Sequence, residues 1–334
     1  MVKNQHGRLG THRSAWQRFF LGPNERPWFS WITGGAMLAV LIYELIRNSA
    51  LTGSVISTSP MFNPMIGPSS SVLINVGAKF TPCMRTIPEM TPSSTLSDCY
   101  TSTSTCTVEQ VCGFGGFGGK APNQSFRFFT PIFLHAGIVH YIINMLTHLG
   151  LGADLEKGMG IPRYTALYLL AGLFGNVLSS MLGRYNSPSM GCSGALFGLI
   201  GYMFIDTLAH WKLIDNPGRE ILKLLVSTII SLILGLLPGC KKFLTKNIFV
   251  GLDNFAHLGG FVVGLVAGVI LCPMPMLSKK SMWVKWVARL SATVVLVVLF
   301  VVCINVFYNS ADPSQICPGC KYLSCLPVSN WCDF

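Results

Sequence analysis

The chain has 334 residues, 51% of them hydrophobic and only 11% charged, with a mean hydropathy of +0.52. A soluble globular domain carries about 25% charged residues, so the composition excludes an ordinary water-soluble enzyme. The net charge of +11 is spread over loops rather than gathered in one patch, which argues against a nucleic-acid surface.

The apolar residues fall into seven blocks: about 29–46, 128–150, 164–183, 191–209, 221–237, 254–272 and 284–307. Each approaches the ~20 residues that cross a hydrocarbon core. The expected fold class is therefore an all-α polytopic membrane protein in contact with the lipid bilayer. Before the first block lie Lys3, Arg8, Arg13, Arg18 and Arg26, with Glu25 as the sole acid. This bias places the N-terminus in the cytosol. Lys212, Arg219, Lys279, Lys280 and Lys285 then fall on the same side. Seven crossings put the C-terminus in the lumen or outside the cell.

Cysteine placement is an independent check. Of twelve cysteines, Cys83, Cys99, Cys106 and Cys112 lie in the long first loop, about 49–127, and Cys317, Cys320, Cys325 and Cys332 in the tail. Both segments lie on the non-cytosolic side in this topology, and an even count in each suits disulfides of the secretory pathway. Spacing alone leaves the pairing open. The first loop otherwise reads as a solvated, disulfide-tied segment rich in Ser, Thr, Pro and Gly.

Polar residues inside spans are costly and mark candidate sites. In the second block, "FLHAGIVHYIINM" carries His135, His140 and Asn144; the fourth opens on "GCSG" with Ser193; the sixth reads "DNFAHLGGFVVG" with His257. Counting spans puts all three clusters in the luminal half. At ~100° per residue, His140 and Asn144 share a face while His135 points away and braces a loop. Glycines after Ser193 (Gly194, Gly198, Gly201) and after His257 (Gly260, Gly264) allow close helix approach. A serine between glycines is usually a packing residue, and a lone histidine is often a relay. Three clusters at one depth favour a hydrolytic Ser–His pair, with His140 and Asn144 as donors to an oxyanion. No metal or organic cofactor is implied.

These residues resemble the rhomboid family of intramembrane serine proteases. The motifs match as Gly191-Cys192-Ser193-Gly194, Ala256-His257 with Gly260 and Gly264, and His135, His140, Asn144. The resemblance implies a six-helix bundle over 29–272 plus a seventh helix at 284–307, between a basic segment (1–28) and a Cys-rich tail (308–334). It implies Ser193 as nucleophile, His257 as base, His140 and Asn144 at the oxyanion hole, and Arg127, His135, Gly191, Gly194, Phe197, Gly260 and Gly264 in support. Phe197 stands where many bacterial members have Tyr, and Phe126-Arg127 where the family often has Trp-Arg. The implied partners are single-span transmembrane substrates, with no nucleic acid. An inactive helix-binding relative is the alternative, and a transporter is a further rival. "LLPG" (236–239) and "LDNFAH" (252–257) are separated by "CKKFLTKNIFVG", where relatives run on without interruption. Codons for Cys240-Lys241, Leu244-Thr245 and Val250-Gly251 accommodate splice signals, which favours a retained intron over a loop extension.

Overall fold

The computed structural model describes residues 26–59, 62–97, 99–101, 103–236, 252–273 and 279–323. The basic residues Lys3 to Arg18, the segment 240–251, and Cys325 and Cys332 lie outside the described residues.

The molecule is built from helices: α1 (Trp28–Thr52), the short loop helices α2 (Ser70–Asn75), α3 (Thr81–Met84) and α4 (Val108–Cys112), then α5 (Ile138–Thr147), α6 (Ala153–Met159), α7 (Ile161–Leu182), α8 (Ser193–Ala209), α9 (Pro217–Leu236), α10 (Asn254–Leu271) and α11 (Lys279–Asn309). A two-stranded antiparallel ladder, β1 (Thr95–Ser97) with β2 (Thr105–Thr107), pairs Leu96 with Cys106. Among the described residues, four helices are long and apolar enough to cross a membrane: α1, α7, α10 and residues Met282–Asn309 of α11. The protein is thus an all-α polytopic membrane protein. α8 is apolar but shorter, at 17 residues.

The second block departs from the continuous helix that its hydropathy suggests. Residues 128–137 form 3₁₀ turns and an irregular stretch, and the helix starts only at Ile138. Pro131 lacks the N–H a helix needs there. Gly137 sits at φ 155°, where a Cβ would strike the Met65 and Ile66 backbone. A π turn, His148–Gly152, joins α5 to α6.

Tertiary contacts cap the helices. The first turn of α1 has no internal partner for its N–H groups. The buried Glu156 carboxylate of α6 accepts from the Phe29 and Ser30 amides at 2.8 Å each, and from Ser30 Oγ at 2.6 Å. A negative group at a helix N-terminus is favourable there. Helices α7, α8 and α10 form the buried centre, with Leu167, Ala171, Phe174, Ala195, Leu199, Val263 and Ala267 in one core. By contrast, little of the spanning part of α11 is buried: one side packs on the core through Cys303 and Phe307, and the other presents Val294, Val298 and Val301 outward. In a bilayer such a surface faces lipid, not water.

The first loop is a folded unit rather than a solvated strap. Ile74, Phe80, Val108 and Val111 pack with Cys83, Cys99, Cys106 and Cys112 into a second small core. Disulfides Cys83–Cys112 and Cys99–Cys106 close it, and Cys317–Cys320 closes the tail. Arg85 Nη1 donates to Ser310 O at 2.6 Å, so the tail after α11 meets the first loop at the same end of the bundle.

Candidate active site

Ser193 and His257 are the natural starting point, since each stands at the loop end of a central helix. Ser193 is the first residue of α8, and His257 lies in the first turn of α10. The backbones of these helices touch. A Cβ added at Gly260 would overlap the Gly194 carbonyl oxygen, and one at Gly264 would overlap that of Gly198. Only glycine allows that approach. The result is a 2.9 Å contact between Ser193 Oγ and His257 Nε2. Phe197, one turn after Ser193, stacks on the imidazole at 4.2 Å with rings 9° apart. His257 is buried, and its Nδ1 has no hydrogen-bond partner among the described residues.

The turn into α8 passes through Gly191 at φ 124°, and the Gly191 amide donates to Pro131 O at 2.8 Å. A side chain there would be strained and would meet His140 Cε1 at 2.8 Å and Nε2 at 3.2 Å, with Asn144 Nδ2 at 3.5 Å. His140 and Asn144, neighbours on α5, therefore both face the turn that carries Ser193. The Ala136 amide donates to His140 Nδ1 at 3.2 Å. In the neutral ring this puts the proton on Nε2, the nitrogen facing Gly191. Asn144 Nδ2 is buried without a partner among the described residues. As the opening residue of α8, Ser193 has an N–H with no intrahelical acceptor. His140 Nε2 and Asn144 Nδ2 thus lie close together beside Gly191, two residues before Ser193.

His135 departs from expectation. It precedes α5, is fully buried, and its ring stands edge-on to His140 at 5.4 Å instead of on an opposite face. Its amide donates to Glu44 Oε1 of α1 at 3.1 Å. Helical phase does not apply to a residue outside the helix. Arg127 is also fully buried, away from the Ser–His pair. It donates to Gln124 Oε1, Ile74 O, Ala78 O and Cys112 O at 2.5–2.8 Å. Burial pulls its pKa down to about 9.

Sequence reasoning did not single out Lys79, Ser179 and Ser189. They meet beside Asp253, the N-cap of α10, whose Oδ1 accepts from the Ala256 amide at 3.0 Å. Lys79 is 2% exposed; burial lowers its pKa and the Asp253 carboxylate opposes that shift. At the far end of the same helices, Asp206, His210 and Cys272 bring ligating atoms within 4.8 Å of one another. There they bond to each other and to Pro273 O.

The class defined so far is a polytopic helical membrane protein with a part-buried Ser–His pair on two closely packed helices, and with His140 and Asn144 facing the turn that leads into it. Comparison with known proteins names the family. The Rhomboid domain matches residues 122–274. Rhomboid-type serine protease 2 of Emericella nidulans is 34% identical over 89% of this chain and 70% of its own length. RHOMBOID-like protein 4 of Arabidopsis thaliana is 28% identical over 99% and 78%. Inactive rhomboid protein 1 of Homo sapiens is 30% identical over 67% of this chain and 24% of its own. The chain belongs to the rhomboid family, whose members include serine proteases and inactive proteins.

Proposed function

We propose that the protein is an intramembrane serine endopeptidase that uses Ser193 and His257 as a catalytic dyad. The observation that carries this reading is the 2.9 Å contact between Ser193 Oγ and His257 Nε2, within the range for an activated nucleophile. His257 Nε2 takes the proton as Ser193 Oγ attacks the scissile carbonyl. The resulting oxyanion is met by His140 Nε2–H, the Asn144 amide and the Ser193 N–H. His257 then protonates the leaving amine, activates a water and returns the enzyme by hydrolysis of the acyl-serine. Phe197 keeps the imidazole plane fixed during both steps.

The substrates in this reading are single-span membrane proteins, cut near the end of the helix that shares the side of the first loop. Their helix must open locally to present a carbonyl, so small or helix-breaking residues are expected at the cut. Loop and tail disulfides support a luminal or extracellular position for that side, and hence a place in the secretory pathway with a cytosolic N-terminus. The insertion at 240–251 is proposed to be a retained intron; transcript reads joining Gly239 directly to Leu252, or Pro238 to Gly251, are the expected result.

A second reading, a catalytically inactive helix-binding protein, is favoured by the similarity to the inactive relative. The test separates the two: a transmembrane reporter is co-expressed with the native chain, Ser193→Ala and His257→Ala. Cleavage by the native chain alone, at equal protein levels, supports the dyad. An uncut reporter that co-purifies with all three supports the inactive reading.

A further inference from the structure

The two halves of the Ser–His pair reach the site on separate segments, and one residue of the first loop touches both. Lys79 forms an antiparallel bridge with Ser189: its amide donates to Ser189 O at 2.9 Å, and the Ser189 amide donates back to Lys79 O at 3.0 Å. Ser189 lies four residues before Ser193, just ahead of the Gly191 turn. The Lys79 side chain runs the other way. Its ammonium donates to Ser179 Oγ of α7 at 2.9 Å and stands 3.8 Å from Asp253 Oδ2. The Ser179 hydroxyl donates a hydrogen bond to Asp253 Oδ2, and Ser189 bonds the same carboxylate. Asp253 in turn holds the first turn of α10, where the His257 amide donates to Asp253 O at 3.0 Å.

We propose that Lys79 is a positioning residue for the reaction: its backbone fixes the approach to Ser193 and its ammonium fixes the helix end that carries His257, so it sets their register. The inference rests on the protease reading above. A lysine is not needed for a fold staple here, because a buried pair is commonly replaced by apolar groups at no loss of stability. An ammonium fixes the first turn of α10 through Ser179 and Asp253 in a way an apolar side chain does not. Arg127 supports the arrangement from behind, because its guanidinium binds the carbonyl of Ala78, the residue before Lys79.

The test uses the full chain in detergent with a transmembrane peptide substrate, comparing Lys79→Met, Ser179→Ala and the double variant Lys79→Met/Asp253→Asn. An error of about 1 Å in catalytic geometry costs about 10²-fold in rate. The expected result is a kcat at least about tenfold lower for Lys79→Met with KM within about twofold, and a smaller fall for Ser179→Ala. The double variant removes the stranded buried charge, so its thermal midpoint recovers above that of Lys79→Met while kcat stays low. A kcat that recovers with the thermal midpoint, or that per folded molecule never falls, overturns the proposal and leaves a structural staple. Should the native chain itself show no Ser193-dependent cleavage, the protease reading fails, and this inference with it.

Discussion

At the residue scale, the chemistry is set by which atoms lack partners. Ser193 Oγ has His257 Nε2, but Asn144 Nδ2 has none although it is buried. A buried amide without a partner costs about 1–3 kcal/mol. It is tolerated where a ligand atom later supplies the acceptor, and in the proposed mechanism an oxyanion beside Ser193 is that acceptor. Asn144→Ala is therefore expected to lower kcat by about 10²–10³-fold, the usual loss for one such donor, with KM little changed. Stability in detergent should hold or rise slightly, because the buried Nδ2 has no hydrogen-bond partner among the described residues. Steady-state kinetics beside a thermal scan check both halves. A loss of folding in step with activity would make Asn144 a structural residue instead.

At the scale of elements, the site exists because two helices touch without side chains between them. A methyl group at Gly260 would fall on the Gly194 carbonyl oxygen, so Gly260→Ala must push α10 from α8. Overpacking of this kind costs about 1–3 kcal/mol, and the Ser193–His257 contact opens with it. Gly158 of α6 has open space around it, so Gly158→Ala is the control. The expected outcome is a lower thermal midpoint and lost cleavage for the first variant and neither for the second. This crossing was legible in sequence, because Gly194, Gly198, Gly260 and Gly264 keep the spacing of one helix face. The broken second span was not, since hydropathy does not register Gly137's φ or the 3₁₀ turns before it. His135 was misplaced for the same reason.

At the scale of the whole molecule, the first loop does more than connect. It folds around its own disulfide-closed core, binds Arg127 within it, and presents Lys79 to both arms of the site. The disulfide ties were readable from the cysteine placement; the small core and the contacts of Arg127 and Lys79 were not, because the segment shows little hydrophobic periodicity and its partners lie far along the chain. Lys79 and Ser179, for example, are 100 residues apart. Motif residues were readable because helix spacing is local; the brace was not, because its contacts are purely tertiary. The membrane class and the helical fold followed from composition and block length alone.

The central claim is that Ser193 is a nucleophile made reactive by His257. Its most direct test is covalent labelling of the purified chain with a fluorophosphonate, followed by mass spectrometric location of the adduct. The account expects one adduct, on Ser193, in the native chain and none in His257→Ala at equal folded yield. A native chain that takes no label, or a His257→Ala variant labelled as fast as the native chain, would contradict it.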